Sequence, residues 1–308
     1  MKLNRREFLK QAAVGGISLA GTAIIPKVFG EGEKPKYVTT IAVVDGDDPA
    51  KMTLAALELL GGMKKFVKKD QVVAVKPNIA WERPPELAAE TNPEVVATIV
   101  KECLKAGAKK VKVFDRPCMD PRKCYDISGI KAAAEKAGAE VILIENRDVF
   151  YKEVEFPDGK ELKKWPVVKE ILDCDCFINV PVVKSHGATK LSLGLKNLMG
   201  LMGGNRGQIH QGIHQKIADF ATVIKSHLTV ADAYRVMVRG GPNAGTAKDI
   251  VMVKKIIAGA DPVAVDSYCC TLEPFKLKGE DVNYIKFANE FGLGEIDLKK
   301  VEILTKKV

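Results

Sequence analysis

The sequence is expected to fold as an α/β protein: a mostly parallel sheet flanked by helices, with an inserted α/β subdomain. Three observations lead there. From residue 37 onward, short runs rich in Val and Ile alternate with stretches of helical apolar spacing. The helical stretches carry proper ends, such as Pro93 near one start and Gly107 just past its end. Around residue 150 the alternation gives way to a hairpin pattern with Pro157-Asp158-Gly159 at its turn.

In chain order, strands are expected at 37–44, 71–76, 110–114 and 140–145, with helices at 52–67, 93–105 and 130–136 between them. This βαβ alternation is that of a parallel sheet covered by helices. The hairpin follows at 150–166, a short helix at 167–172 and a fully apolar strand at 176–183. Helices are expected at 193–201 and 213–226, and a Leu-Thr-Val-Ala strand ends at Asp232. A strand at 251–258, helices at 263–272 and 282–291 and a closing strand at 301–304 complete the chain. The organisation is one domain over residues 36–308, with a subdomain over 150–245, behind a separate segment of residues 1–30.

That first segment reads as an export address. Arg5-Arg6 precedes Phe8-Leu9-Lys10, and the uncharged run from Gln11 to Ile25 is rich in Ala and Gly. A basic start, a twin arginine and an apolar centre shorter than the roughly 20 residues of a membrane span form a twin-arginine signal. The translocase of that route is the first expected partner, and the location is periplasmic or otherwise extracytoplasmic. Val28-Phe29-Gly30 matches the small-x-small cleavage pattern only loosely, leaving open whether the segment is removed or kept as an anchor. The route carries folded chains, often with a cofactor already in place.

Composition narrows the function classes. Setting aside residues 1–30, which hold five Lys/Arg and one Glu, leaves 43 basic and 38 acidic side chains, spread without an arm or block. Such a surface argues against nucleic acid as a partner, and 6% aromatics is low for stacking on single strands. The seven cysteines (103, 118, 124, 174, 176, 269, 270) form neither a ferredoxin run nor a zinc ribbon. Cys103 and Cys174 are expected as buried thiols, and Cys118 and Cys124 either as a disulfide or as free thiols.

Ligands of open parallel sheets sit at the carboxyl ends of the strands, and four groups of residues stand there. Lys76-Pro77-Asn78 closes a Val-Val-Ala-Val strand, and its lysine and asparagine are expected to face a crevice. Lys184-Ser185-His186 closes the next apolar strand, and Lys196-Asn197 follow on a helix. Together they offer cations, hydroxyls and a helix N-terminus to a small anionic ligand or a cofactor. His210 and His214 stand at i and i+4, which share a face where the chain is helical, and are candidate ligands for nickel, iron or zinc; Gly212 between them offers a loop or helix start instead. Asp232 and Asp266, with His186, are candidate catalytic groups, although Asp261-Pro262 reads first as a helix cap. Gly240–Gly245 is a turn-rich loop suited to covering the crevice.

Taken together, KPN after a strand, PxxKSHG with LKNLMG, the GPxxG loop and DPVAVD are similar in content and order to the domain-of-unknown-function family 362, from about Thr40 to the C-terminus. Many members of that family carry ferredoxin-type iron–sulfur modules; the cysteine runs for them are missing here. A more distant resemblance is to the nickel-pincer lactate racemase family. His186 and Lys196 lie nine residues apart and a later histidine follows at 210 or 214. That resemblance implies Lys196 as the cofactor contact, His210 or His214 on the metal and His186 as acid/base. The Gly-Gly-Arg associated with the lysine is replaced by Leu193-Gly194-Leu195. The function expected is an exported enzyme of redox or isomerase type, dependent on a cofactor or metal and acting on a small anionic substrate. A redox-type enzyme would also need a redox partner protein. The other expectation is a non-catalytic binder or carrier of an anionic ligand, metal or cofactor.

Overall fold

The structure, a computed structural model, describes residues 38–308, so the twin-arginine segment lies outside the described residues. Asp48 opens the first helix by accepting the amides of Ala50 and Lys51. That helix, α1 (Pro49–Leu59), follows strand β1 (Thr39–Asp45). It stops before the expected end at residue 67 because Gly61 and Gly62 take φ of 95° and 82°. Strand β2 (Val72–Pro77) leads to α2 (Pro93–Ala106), capped by Asn92 at its start and by left-handed Gly107 at its end. Strand β3 (Lys110–Asp115) is followed by α3 (Pro121–Ile127), which sequence reasoning missed, then by α4 (Ile130–Lys136) and β4 (Glu140–Leu143).

Strands β5 (Tyr151–Glu155) and β6 (Lys164–Val168) form the expected antiparallel hairpin. After α5 (Lys169–Leu172) the expected strand 176–183 divides into β7 (Cys176–Val180) and β8 (Val182–His186). Pro181 lies between them and has no amide to continue the ladder. Strand β9 (Lys190–Ser192), α6 (Gly194–Asn197) and α7 (Ile213–Val223) follow. Strand β10 (Leu228–Met237), β11 (Ile250–Gly259), α8 (Pro262–Cys270), α9 (Asn283–Glu290) and β12 (Val301–Lys307) end the chain.

The central sheet has the order β12-β1-β11-β10-β7-β2-β3-β4, with β8 pairing β10 and β9 beside that path. Its ladders are parallel apart from those of β11 with β1 and β10 and of β9 with β8. Both faces are covered, as alternation along β1 shows. Ile41 and Val43 enter one core cluster together with α7, α8 and α9 residues such as Phe220, Val265 and Ile285. Ala42 and Val44 enter the other, with Met52, Ile99, Tyr125 and Ile130 from α1 to α4. The expected subdomain over 150–245 is not a separate body. Its strands β7, β8 and β10 belong to the central sheet, and only the hairpin forms a sheet of its own.

The break at Pro181 positions the site. Strand β7 pairs with β2 as far as Val180 opposite Pro77. Past Pro181 the chain pairs with β10 and β9 instead. The chain beyond Pro77, from Asn78 on, is therefore left without a ladder partner on that side, and the Lys184 side chain reaches across to Asn78.

Candidate functional site

At the gap, strand ends and loops enclose a cleft of about 810 Å³. Beneath it lies a buried ion pair. Lys76 Nζ is 2.8 Å from Asp115 Oδ1 and donates to the Pro77 carbonyl at 2.8 Å and to Asn197 Oδ1 at 3.1 Å. Both side chains are essentially inaccessible. Asp115 also accepts the amides of Ile79 (2.7 Å) and Arg116 (2.9 Å). Burial draws the Lys76 pKa down and Asp115 opposes it. Gly200 makes the arrangement possible, since a Cβ there would come within 1.8 Å of Asp115 Oδ1 and 2.7 Å of Lys76 Nζ.

A second buried cation crosses from β8 to β2. Lys184 Nζ donates to Asn78 Oδ1 at 2.6 Å and to the Ala89 carbonyl. Its carboxylate neighbour, Glu90, accepts the amides of Ala80 (2.7 Å) and Trp81 (2.6 Å). Burial pushes Glu90 up to about 8 against the pull of Lys184.

Lys196 and His186 line the cleft itself. Burial first, and then the charges of Lys184 and Arg206, lower Lys196 to about 8, with only the Cys118 thiol acting the other way. No carboxylate balances it. His186 accepts the Ala188 amide at Nδ1 (3.1 Å), so the neutral ring carries its proton on Nε2. Burial, then Lys196, Lys184, His210 and His214, hold its pKa down at about 3. The cleft lining holds four basic side chains, Arg116, Lys184, Lys196 and Arg206. Its one carboxylate, Asp115, is engaged with Lys76 and two amides.

Of the residues selected from sequence, Asn78, Lys184, His186, Lys196, Asn197 and His210 line the cleft. The loop expected to cover it contributes Gly241, Pro242 and Asn243. Five others do not line it. Lys76 lies below the floor, because a strand-end lysine with Asp115 beside it turns into the protein. Ser185 Oγ accepts the Gly241 amide (3.2 Å) and ties down that loop. Asp232 stands in mid-strand, not at a strand end, and accepts the amides of Asn92 (2.8 Å) and Tyr234 (3.1 Å). Asp266 accepts the amides of Gly194 (2.7 Å) and Leu195 (2.9 Å). It thereby occupies the helix N-terminus that had been expected to receive an anion. Burial raises Asp232 to about 6 and Asp266 to about 7, in each case against those amide bonds.

His214 is the fifth, and it does not share a helix face with His210. His210 ends a 3-10 turn (Arg206–His210), and left-handed Gly212 intervenes before α7 begins at Ile213. His214 stacks on Tyr284 at 6.1 Å between ring centroids, and its Nδ1 is buried without a hydrogen-bond partner. Among the described residues no group of three or more His, Cys, Asp or Glu side chains is arranged to hold a metal. The residues present therefore do not fit a metal-centred cofactor ligated by His210 and His214. The fourth histidine, His227, accepts the Phe177 amide (3.0 Å) and belongs to the sheet. All seven cysteines are free: Cys118 is exposed at the cleft, while Cys124 is buried in α3. Cys174 is half-buried in the turn before β7 and donates its thiol to the Ile171 carbonyl (3.1 Å).

Sequence reasoning missed Asp115, Arg116, Arg206 and Glu90. Asp115 ends β3 and Arg116 follows it directly, and the strand-end rule applied to β2 and β8 would have found them. Glu90 lies in a loop ahead of α2, and Arg206 in one after α6; no periodicity marks either.

A mostly parallel, open α/β sheet with a cationic cleft at the carboxyl ends of its central strands is the class defined by this fold and geometry. The chain belongs to the family described as domain of unknown function DUF362, whose model matches residues 73–271. Thylakoid-associated protein sll1697 of Synechocystis sp. is 28% identical over 225 residues, 68% of this chain and 65% of that protein. Among solved structures, the lactate racemase apoprotein from Thermoanaerobacterium thermosaccharolyticum superposes with a TM-score of 0.48 at 12% identity. That superposition covers 78% of this chain and 58% of that one. A Thermotoga maritima protein superposes with a TM-score of 0.48 at 15% identity, over 73% and 59%. The chain thus spans less than two thirds of the length of each of these relatives.

Proposed function

We propose that the cleft binds a small anionic ligand, carboxylate-bearing at its inner end, and moves a proton on it in an isomerase-type reaction. The observation that carries this is Lys196: a cleft-lining ammonium pressed by other cations, with no carboxylate to balance it. An anion supplies the missing charge. Near pH 8 a large fraction of Lys196 is the free amine, and an amine of that pKa suits a general base. It takes a proton from the ligand, and the ammonium formed returns it. His186 offers its Nε2 proton as a hydrogen bond to the oxygen on which charge gathers. His186 is then a donor, because the Ala188 amide already occupies its other nitrogen. Lys184 and Arg116 add positive potential from below and beside.

The test has two parts. Thermal unfolding is followed with inorganic phosphate and with small carboxylates such as lactate and malate, for the natural chain and for Lys196→Ala. A carboxylate at about 100 times its Kd adds roughly 2.7 kcal/mol of stability to the natural chain, and little of this survives in the variant. The same acids are then incubated in D2O with the protein, and exchange of the carbon-bound proton is read by NMR. Equal stabilisation of both proteins would sink the reading. Stabilisation without exchange would reduce it to a carrier of the anion.

We further propose that the chain is exported by the twin-arginine route and works outside the cytoplasm. The Arg5-Arg6 motif supports this, as does the thylakoid association in the relative's name. Among the described residues no helix is long and apolar enough to cross a membrane.

A further inference from the structure

Beside the cleft lies a second, open groove of about 530 Å³, and the two share Arg116, Cys118, Asn146 and Arg206. The groove adds Arg122 and Arg147 to its walls. Against these four arginines stand two carboxylates, Asp120, which accepts the Lys123 amide (3.0 Å), and Glu145, which pairs with Arg147 Nε (2.7 Å), so the groove keeps a positive excess. Arg206 stands at the junction. Its Nη1 donates to the Arg116 carbonyl (2.8 Å), and its Nη2 donates to the Pro117 carbonyl (2.6 Å) and approaches Cys118 Sγ (3.4 Å). These bonds fix the guanidinium without neutralising it, since none goes to a carboxylate. Arg122 is exposed on the groove wall.

The exposed fork of Arg122, with the fixed positive charge of Arg206 beside the same groove, suits a tetrahedral oxyanion, which accepts paired N–H bonds. We propose that the ligand carries a second anionic group, of phosphoryl type, held in this groove by Arg122 and Arg206 while its carboxylate end lies at Lys196. The substrate class is then a small phosphorylated carboxylic acid. This rests on the function proposed above and adds the outer contact to it. Joining two anionic groups on one short molecule makes the second contact intramolecular, so the joined ligand binds far more tightly than either half.

The experiment is calorimetric titration of the folded chain with inorganic phosphate, glycerate, 2-phosphoglycerate and 3-phosphoglycerate. At least one phosphoglycerate is expected to bind tenfold or more tightly than glycerate. In Arg122→Ala that ratio falls to about two, and Arg122→Lys, which keeps the charge but not the fork, lies between. Arg122 is exposed, so its replacement tests the contact and leaves the core intact. If neither phosphoglycerate gains over glycerate, or if the ratio persists in Arg122→Ala, the outer site is wrong. Glycerate binding that is unaffected by Lys196→Ala overturns the inner reading instead, so the two failures are distinct.

Discussion

Lys196 is the residue on which the chemistry turns, and its charge leaves a trace in stability. The folded protein releases this proton near pH 8, whereas the unfolded chain holds it to about 10.4. Between those values the unfolded state binds more protons, so stability rises with pH through that window. The penalty of keeping the ammonium in the cleft is fully present below pH 8. Lys196→Met removes the titration and fills the space with an apolar chain. The variant is expected to be more stable than the natural protein at pH 7 by roughly 1–3 kcal/mol. That advantage shrinks as pH climbs toward 10. Urea midpoints of both proteins across pH 7 to 10 measure the difference and cancel the other titrating groups. A gap that stays flat with pH would mean that Lys196 is an ordinary solvated lysine.

At the scale of elements, the short helix α6 matters out of proportion to its length, because it carries Lys196 and Asn197 into the site. Four residues cannot hold themselves helical. Leu193, at the N-cap, provides no side-chain cap. Asp266, reaching from α8, takes the two leading amides instead. Asp266→Ala leaves both buried donors without a partner, at a cost of about 1–3 kcal/mol each. The expected result is a lowered denaturant midpoint together with loss of carboxylate binding, since Lys196 is no longer held in place. Asp266→Asn, which keeps one acceptor, falls between. Retained ligand binding in Asp266→Ala would show that α6 is held by packing alone. This role was half legible in the sequence. DPVAVD announced a capped helix and the second aspartate sat one turn in, where a site-facing carboxylate was expected. Nothing in residue spacing tells which way a buried aspartate points when its partners lie 72 residues away. The strands and long helices were readable because periodicity is local; the split at Pro181 was marked by a proline that read as part of an apolar run. The i, i+4 histidines do not share a face for a local reason already present in the sequence, Gly212 between them, which takes the left-handed conformation.

At the scale of the whole molecule, the proposed export route and the thiols bear on one another. Five of the seven cysteines are buried, all seven are free, and an odd number cannot pair completely. Burial holds the Cys103 thiol far above its ordinary pKa, and Cys124 and Cys176 are pushed up to about 12. These thiols are unreactive inside the fold, since the thiolate is the reactive form. A chain threaded unfolded into an oxidising compartment would present all seven to disulfide formation at once. Crossing already folded, it would present Cys118 and, partly, Cys174. The twin arginine is therefore expected to be essential to correct delivery and not merely permitted. Arg5→Lys with Arg6→Lys keeps the charge but loses the planar guanidinium fork, and the exported fraction is expected to fall at least tenfold. Replacing residues 1–30 with a signal for unfolded export should instead deliver protein with mispaired disulfides. Thiol titration after unfolding separates the cases: seven free thiols by the proposed twin-arginine route, fewer by the other. Undiminished export of the double-lysine variant would remove the twin-arginine assignment. Seven free thiols by both routes would show that folding outpaces oxidation, and the link between route and cysteines would be lost.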